Sequence, residues 1–132
     1  VKYLILIYSN PENWEHPAYA RTPGFRELPE AGQAELTRQA EALHEEIVAS
    51  GELVTGVALG APGDARTFRV RAGVPATTDG PYAEAKEQLV GYFVVECASR
   101  ERAAEIASRF PDTRFGAVEV RPIAELVEFG TG

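Results

Sequence analysis

YLILIY, residues Tyr3–Tyr8, is apolar on both of its alternating sides, with Tyr3, Ile5 and Ile7 on one and Leu4, Leu6 and Tyr8 on the other. Successive side chains of a strand point to opposite faces, so a run with no polar side needs cover above and below. It predicts a central strand. LVGYFVVEC, Leu89–Cys97, has the same character and predicts a second one. Between them, Leu36, Ala40, Leu43 and Ile47 recur at intervals of four, three and four. That spacing lays one stripe along a helix over Gln33–Ser50, with Gly51 as its stop. Glu52–Leu59 (ELVTGVAL) follows as a strand ended by Gly60-Ala61-Pro62-Gly63. Thr67–Arg71 and Pro75–Thr78 flank Ala72-Gly73 as the arms of a hairpin, and Pro75, which cannot donate to a ladder, belongs at an edge. Ser99 caps a helix running to about Phe110, with the stripe Ala103, Ile106, Ala107 and Phe110. In Ala117–Arg121, Val118 and Val120 alternate with Glu119 and Arg121, the pattern of a one-sided edge strand.

Without the hairpin, the order is strand, helix, strand, strand, helix, strand. This is the split βαβ pattern of an α+β ferredoxin-like domain, whose first and third strands lie in the middle of the sheet. Those are the two runs that are apolar on both sides. Two helices cover one face of such a sheet. Monomers rarely expose large apolar patches, so the other face predicts a homodimer packed sheet to sheet, with a pocket between the sheet and the partner. The segment from Asn10 to Pro29 carries Pro11, Pro17, Pro23 and Pro29 and predicts a long irregular surface loop.

The 132 residues suit one domain over the whole chain. A net charge of −7 opposes nucleic-acid binding, which needs a basic face to displace the counterions of a polyanion. No run of eighteen apolar residues and no basic start leading into an apolar core and a cleavage site is present, so no membrane partner and a cytoplasmic location are expected. The lone Cys97 ends an apolar run and reads as core packing. Two histidines and one cysteine far apart in sequence give no metal spacing, and GAPGDAR from Gly60 lacks the Gly-Lys-Ser/Thr ending of a phosphate loop. No metal and no cofactor is expected.

KYLILIY near the start, TTDGPYAEAKEQLVGYFVVE over Thr77–Glu96 and GAVEVRPI near the end come in the order found in YCII-related proteins of the subgroup named for an Asp-Gly-Pro-Phe motif. The chain resembles that family from Lys2 to about Ile123, with Tyr82 where the motif has phenylalanine. The resemblance implies a dimeric α+β barrel of ferredoxin-like subunits. Most such proteins have no assigned reaction. They are often encoded near extracytoplasmic-function sigma factors, and some relatives are lyases or dehalogenating enzymes proposed to use a His and Asp pair. The histidine that those relatives carry near the start of the first helix has no match here.

Asp79 precedes Gly80-Pro81, where a carboxylate either caps the turn through backbone N–H groups or stands at a pocket rim as a general base. His44 borders the buried stripe of the first helix, turned either to a pocket or to water. Imidazole exchanges protons easily near neutral pH, so Asp79 and His44 are the catalytic candidates. Tyr82, Lys86 and Glu87, within or just after the turn, are the substrate-binding candidates, against the reading that Glu84, Lys86 and Glu87 form a solvated charged run. Arg69 and Arg71 share a hairpin face, either to meet an anion or simply solvated. His16, in the proline-rich segment with Trp14 and Tyr19, reads as part of a surface insertion pinned down by its aromatics. The expected activity is acid–base, lyase-like chemistry on a small molecule in a pocket between the sheet, the first helix and the Asp79 turn. The alternative is a non-catalytic dimer that binds a ligand or serves a sigma-factor system.

Overall fold

A computed structural model describes residues 1–82 and 85–125. Strands β1 (Lys2–Ser9), β2 (Leu53–Ala58), β5 (Gln88–Glu96) and β6 (Gly116–Pro122) form an antiparallel sheet in the order β2-β5-β1-β6. The two doubly apolar runs therefore occupy the centre, and β6 is an edge. This is the ferredoxin-like order, with helices α2 (Glu30–Ala49) and α3 (Arg100–Ser108) as the two crossovers.

Both long helices pack on the face that carries Tyr3, Ile5 and Ile7, through Leu43, Ile47, Ala103 and Ile106. Leu4, Leu6 and Tyr8 on the opposite face are only half-buried. Helix α2 begins three residues before the expected Gln33, because Pro29 serves as its N-cap and Glu30 opens the first turn. It ends where Gly51 takes φ +79°, the left-handed conformation that glycine reaches without a Cβ clash. Ser99 Oγ accepts from the backbone N–H of Arg102 at 3.1 Å and starts α3 as its sequence predicts. That helix stops at Ser108, two residues short of expectation, where the chain turns into a 3-10 segment at Pro111–Arg114.

The Asn10–Pro29 segment is more structured than its prolines suggest. It holds a 3-10 turn at Ala18–Arg21 and a short helix α1 at Pro23–Arg26, which is capped by Thr22. Tyr19 and Phe25 are buried against each other, ring centroids 5.5 Å apart, and against Leu36 of α2. The reading that aromatics pin this segment to the body holds. The reading of it as a surface loop does not, because its apolar side chains have a groove beside α2 to fill.

Strands β3 (Arg66–Arg71) and β4 (Val74–Asp79) make a separate two-stranded sheet. Its turn has positive φ at both Ala72 (51°) and Gly73 (78°), as a two-residue hairpin loop with right-handed strand twist requires. Phe68, Val70 and Val74 on this arm are exposed.

One ion-pair network fastens the two helices and the start of β2. Arg102 donates to Glu52 at 2.9 Å and to Glu46 at 2.8 Å, and Arg109 donates to Glu46 at 2.7 Å. The guanidinium hydrogen bonds hold both carboxyls down at a pKa of about 2. Each carboxyl is more acidic folded than unfolded, so its stabilisation is complete above pH 4.5 and is lost as pH falls toward 2. Arg102→Ala should lower the melting temperature at pH 7 by roughly 5 °C. The gap to wild type should narrow below about pH 3. Thermal unfolding at both pH values checks this.

Candidate active site

The sheet and α2 do not close completely on each other. A cavity of about 810 Å³ remains between them. Its floor is Ile7, Val90 and Phe93 with part of β2, its roof the stripe of α2 from Thr37 to Ile47, and its ends are Pro17–Tyr19 and Phe110–Asp112. The walls are mostly apolar.

Two features of β2 and β5 shape the floor. A Cβ on Gly56 would lie 2.7 Å from a ring carbon of Phe93, so the missing side chain is what lets that ring lie flat over β2. Phe93 then meets Phe110 with ring centroids 5.1 Å apart, making an aromatic wall at one end. Gly56→Ala should displace the Phe93 ring and weaken binding of any ring-bearing ligand severalfold while the fold persists. Equilibrium binding of such a ligand to wild type and variant is the check.

The polar groups gather around Asp112 and the Pro17–Tyr19 end. Asp112 is 8 % exposed and sits in the Pro111–Arg114 turn, which Phe110 and Phe115 flank in the chain. Burial drives its carboxyl up to about 6, a hydrogen bond from its own backbone N–H pulls it part-way down, and the charge of His16 adds to that pull. Buried Tyr19 has its phenol raised first by burial, a hydrogen bond with Thr37 opposes this, and the fields of Asp112 and Glu41 add to it. His16 and His44 line the cavity as exposed residues at its mouth, and His16 Nε2 lies 2.8 Å from the Leu59 carbonyl oxygen. Asp112 thus feels the charge of His16, and Tyr19 the field of Asp112, in a site open enough to admit a small molecule and dry enough to shift a carboxyl.

The sequence candidates fall in two places. His44 is on the cavity. Asp79 closes β4 with its carboxylate 82 % exposed and 3.2 Å from Arg66 Nε, and it does not line the cavity. Gly80 takes φ +102°, its N–H donates to the Ala65 carbonyl at 2.7 Å, and its carbonyl accepts from Thr67 Oγ1 at 3.0 Å. Tyr82 is exposed with the Arg69 guanidinium 4.4 Å from its ring centre. Lys86 and Glu87 are exposed, and Glu84 lies outside the described residues. His16, read as part of a surface insertion, belongs to the cavity mouth. Asp112 was not a sequence candidate at all. The one sequence signal for it is a charged residue set between two phenylalanines in FPDTRF.

Among the described residues, no group of three His, Cys, Asp or Glu side chains is placed to hold a metal ion, and no helix is long and apolar enough to cross a membrane. Cys97 is 3 % exposed, and burial raises its thiol, which makes it an inert core side chain.

An uncharacterized protein of Rhizobium meliloti (strain 1021) is 36 % identical over 91 residues, 67 % of this chain and 73 % of the relative. Among solved structures, the 5-chloro-2-hydroxyhydroquinone dehydrochlorinase of Burkholderia phenoliruptrix AC1100, in complex with 2,5-dihydroxybenzoquinone, aligns over 98 % of this chain and 96 % of its own at 14 % identity and a TM-score of 0.44. The family model for the YCII-related domain matches residues 1–127. With that match spanning nearly its whole length, the chain belongs to the YCII-related family.

Proposed function

We propose that this chain is a small-molecule enzyme of acid–base, lyase-like type, working in the cavity between α2 and the sheet. The observation that carries the reading is a carboxyl 8 % exposed, with a pKa of about 6, on a mostly apolar cavity of about 810 Å³. A general acid–base works best with a pKa near the operating pH, and burial has moved Asp112 toward it. Asp112 takes or returns the proton, while His16 and His44 relay it to solvent at the mouth. In this reading Asp79 shapes the turn, and Tyr82, Lys86 and Glu87 touch only the outer part of a substrate or of a second subunit.

The test is deuterium incorporation, followed by NMR in D₂O, across a panel of small enolisable ketones, lactones and hydroxylated rings. Wild type should exchange at least one compound, and Asp112→Asn should slow that exchange by about 100-fold or more. Equal exchange by both proteins would remove Asp112 from the chemistry.

The half-covered face of β1 supports a homodimer packed through the sheet. Leu6→Lys should reduce the mass in solution by light scattering from twice the 14.3 kDa chain to one copy. The exposed Phe68, Val70 and Val74 of the β3–β4 arm favour a second reading, a non-catalytic dimer that binds a ligand or partner, for instance within a sigma-factor system. Ligand binding in the cavity with no exchange of any compound would favour that reading.

A further inference from the structure

Apart from the imidazoles of His16 and His44 at the mouth, the charged side chains around the cavity have one sign. Asp112, Glu41 and Glu45 line it, and no lysine or arginine does so among the described residues. The residues outside the description, 83–84 and 126–132, contain neither type. Glu41 and Glu45 are four residues apart on α2, a spacing at which like charges repel along a helix face. Other carboxylates of the same helix are neutralised: Glu35 pairs with Arg38, and Glu46 with Arg102 and Arg109. Glu41 and Glu45 have no such ion-pair partner among the described residues. Asp112 is buried on the same cavity, and its own backbone supplies its hydrogen bond.

A buried or crowded carboxylate without a cation is costly, and a positive ligand relieves that cost. An anionic ligand would instead meet three carboxyls, one of them buried. Beside Asp112, Phe93 and Phe110 offer ring surface to a hydrocarbon body.

We propose that the cavity binds a small organic cation, a protonated amine on an apolar or aromatic body, with the ammonium facing Asp112, Glu41 and Glu45 and the body against Phe93 and Phe110. The proposal rests on the reading that this cavity is the functional site. It also defines the role of Asp112, because a bound cation favours the ionised carboxylate and so prepares it to act as the base.

Benzylamine, benzyl alcohol and benzoate share one ring and differ in charge. Each is titrated into the full chain at pH 8, with binding followed by chemical shifts of the cavity residues Tyr19, His44, Phe93 and Asp112. Benzylamine should shift these residues and bind at least about tenfold more tightly than benzoate. Asp112→Asn and the double variant Glu41→Gln/Glu45→Gln should each weaken benzylamine by about tenfold and leave benzyl alcohol nearly unchanged. The glutamates are exposed, so the double variant keeps the fold even if Asp112→Asn perturbs it. If benzoate binds as tightly as benzylamine, or if neither variant affects the amine, the charge proposal fails while the cavity stands as a site. If none of the three probes shifts the cavity residues, both fall.

Discussion

Asp112→Asn should unfold at a higher temperature than wild type at pH 8 and at about the same temperature at pH 4. The sign follows from the direction of the shift. The folded chain holds the Asp112 proton up to about pH 6, whereas an unfolded aspartate loses it near 3.8. Between those values the native state binds more protons than the unfolded one, so this group's contribution to stability falls as pH rises, and its full cost stands above pH 6. A gap of that size corresponds to ~3 kcal/mol. Asparagine keeps the shape and can still accept from the backbone N–H, but it carries no charge to desolvate. The difference between the two proteins isolates Asp112 from other titrating carboxyls such as Glu46 and Glu52, which stabilise the fold as pH rises. Gained stability together with lost turnover is the pattern of a group kept for function at the expense of the fold. A variant less stable than wild type at pH 8 would mean that the carboxylate is compensated by its surroundings.

The second large effect is expected from Ile47→Ala. Ile47 is 1 % exposed and joins two roles, since it packs in the core between α2 and the sheet and also lines the cavity. Removing a buried isoleucine side chain costs ~2–5 kcal/mol, depending on how far the surroundings relax into the space. Here the neighbouring side already borders open volume, and β1 and β5 behind it are fixed at the centre of the sheet. We expect a loss of ~3 kcal/mol by urea denaturation. The slope of the transition should stay unchanged, because the surface exposed on unfolding is the same. The enlarged cavity should also bind ring-bearing ligands less selectively. A loss below ~1 kcal/mol would mean that α2 settles onto the sheet and closes the cavity.

Much of the architecture can be read from a few side chains. The runs Tyr3–Tyr8 and Leu89–Cys97 have no polar side, and they take the two central positions of the four-stranded sheet, where neighbouring strands pair with both of their edges. The stripe on α2 and the Gly51 stop work locally and are legible for that reason. The structure of residues 10–29 is not, because Ala18, Tyr19 and Phe25 are buried by a groove that α2 and the sheet create together, and their spacing follows no helical or strand period. The site divides along the same line. His44 is half legible: its place beside the buried stripe allows a pocket or water, and the structure puts it on the cavity. Asp112 is not legible, since burial of a carboxyl in a short turn depends on Tyr19 and α2 converging on it from distant parts of the chain. Asp79 stands out in the sequence for its Asp-Gly-Pro turn, whose chemistry is the same whether its carboxylate points to a cavity or, as in this chain, to Arg66 and solvent.

The most direct measurement is the titration of the Asp112 side-chain carboxyl carbon by NMR, assigned by comparison with Asp112→Asn. The account predicts a midpoint near pH 6, with a smaller matching step in the signals of Tyr19, which shares its field. A midpoint near 4, as for an ordinary exposed aspartate, would mean that water reaches this carboxyl freely and would contradict the assignment of the cavity as the site of acid–base chemistry.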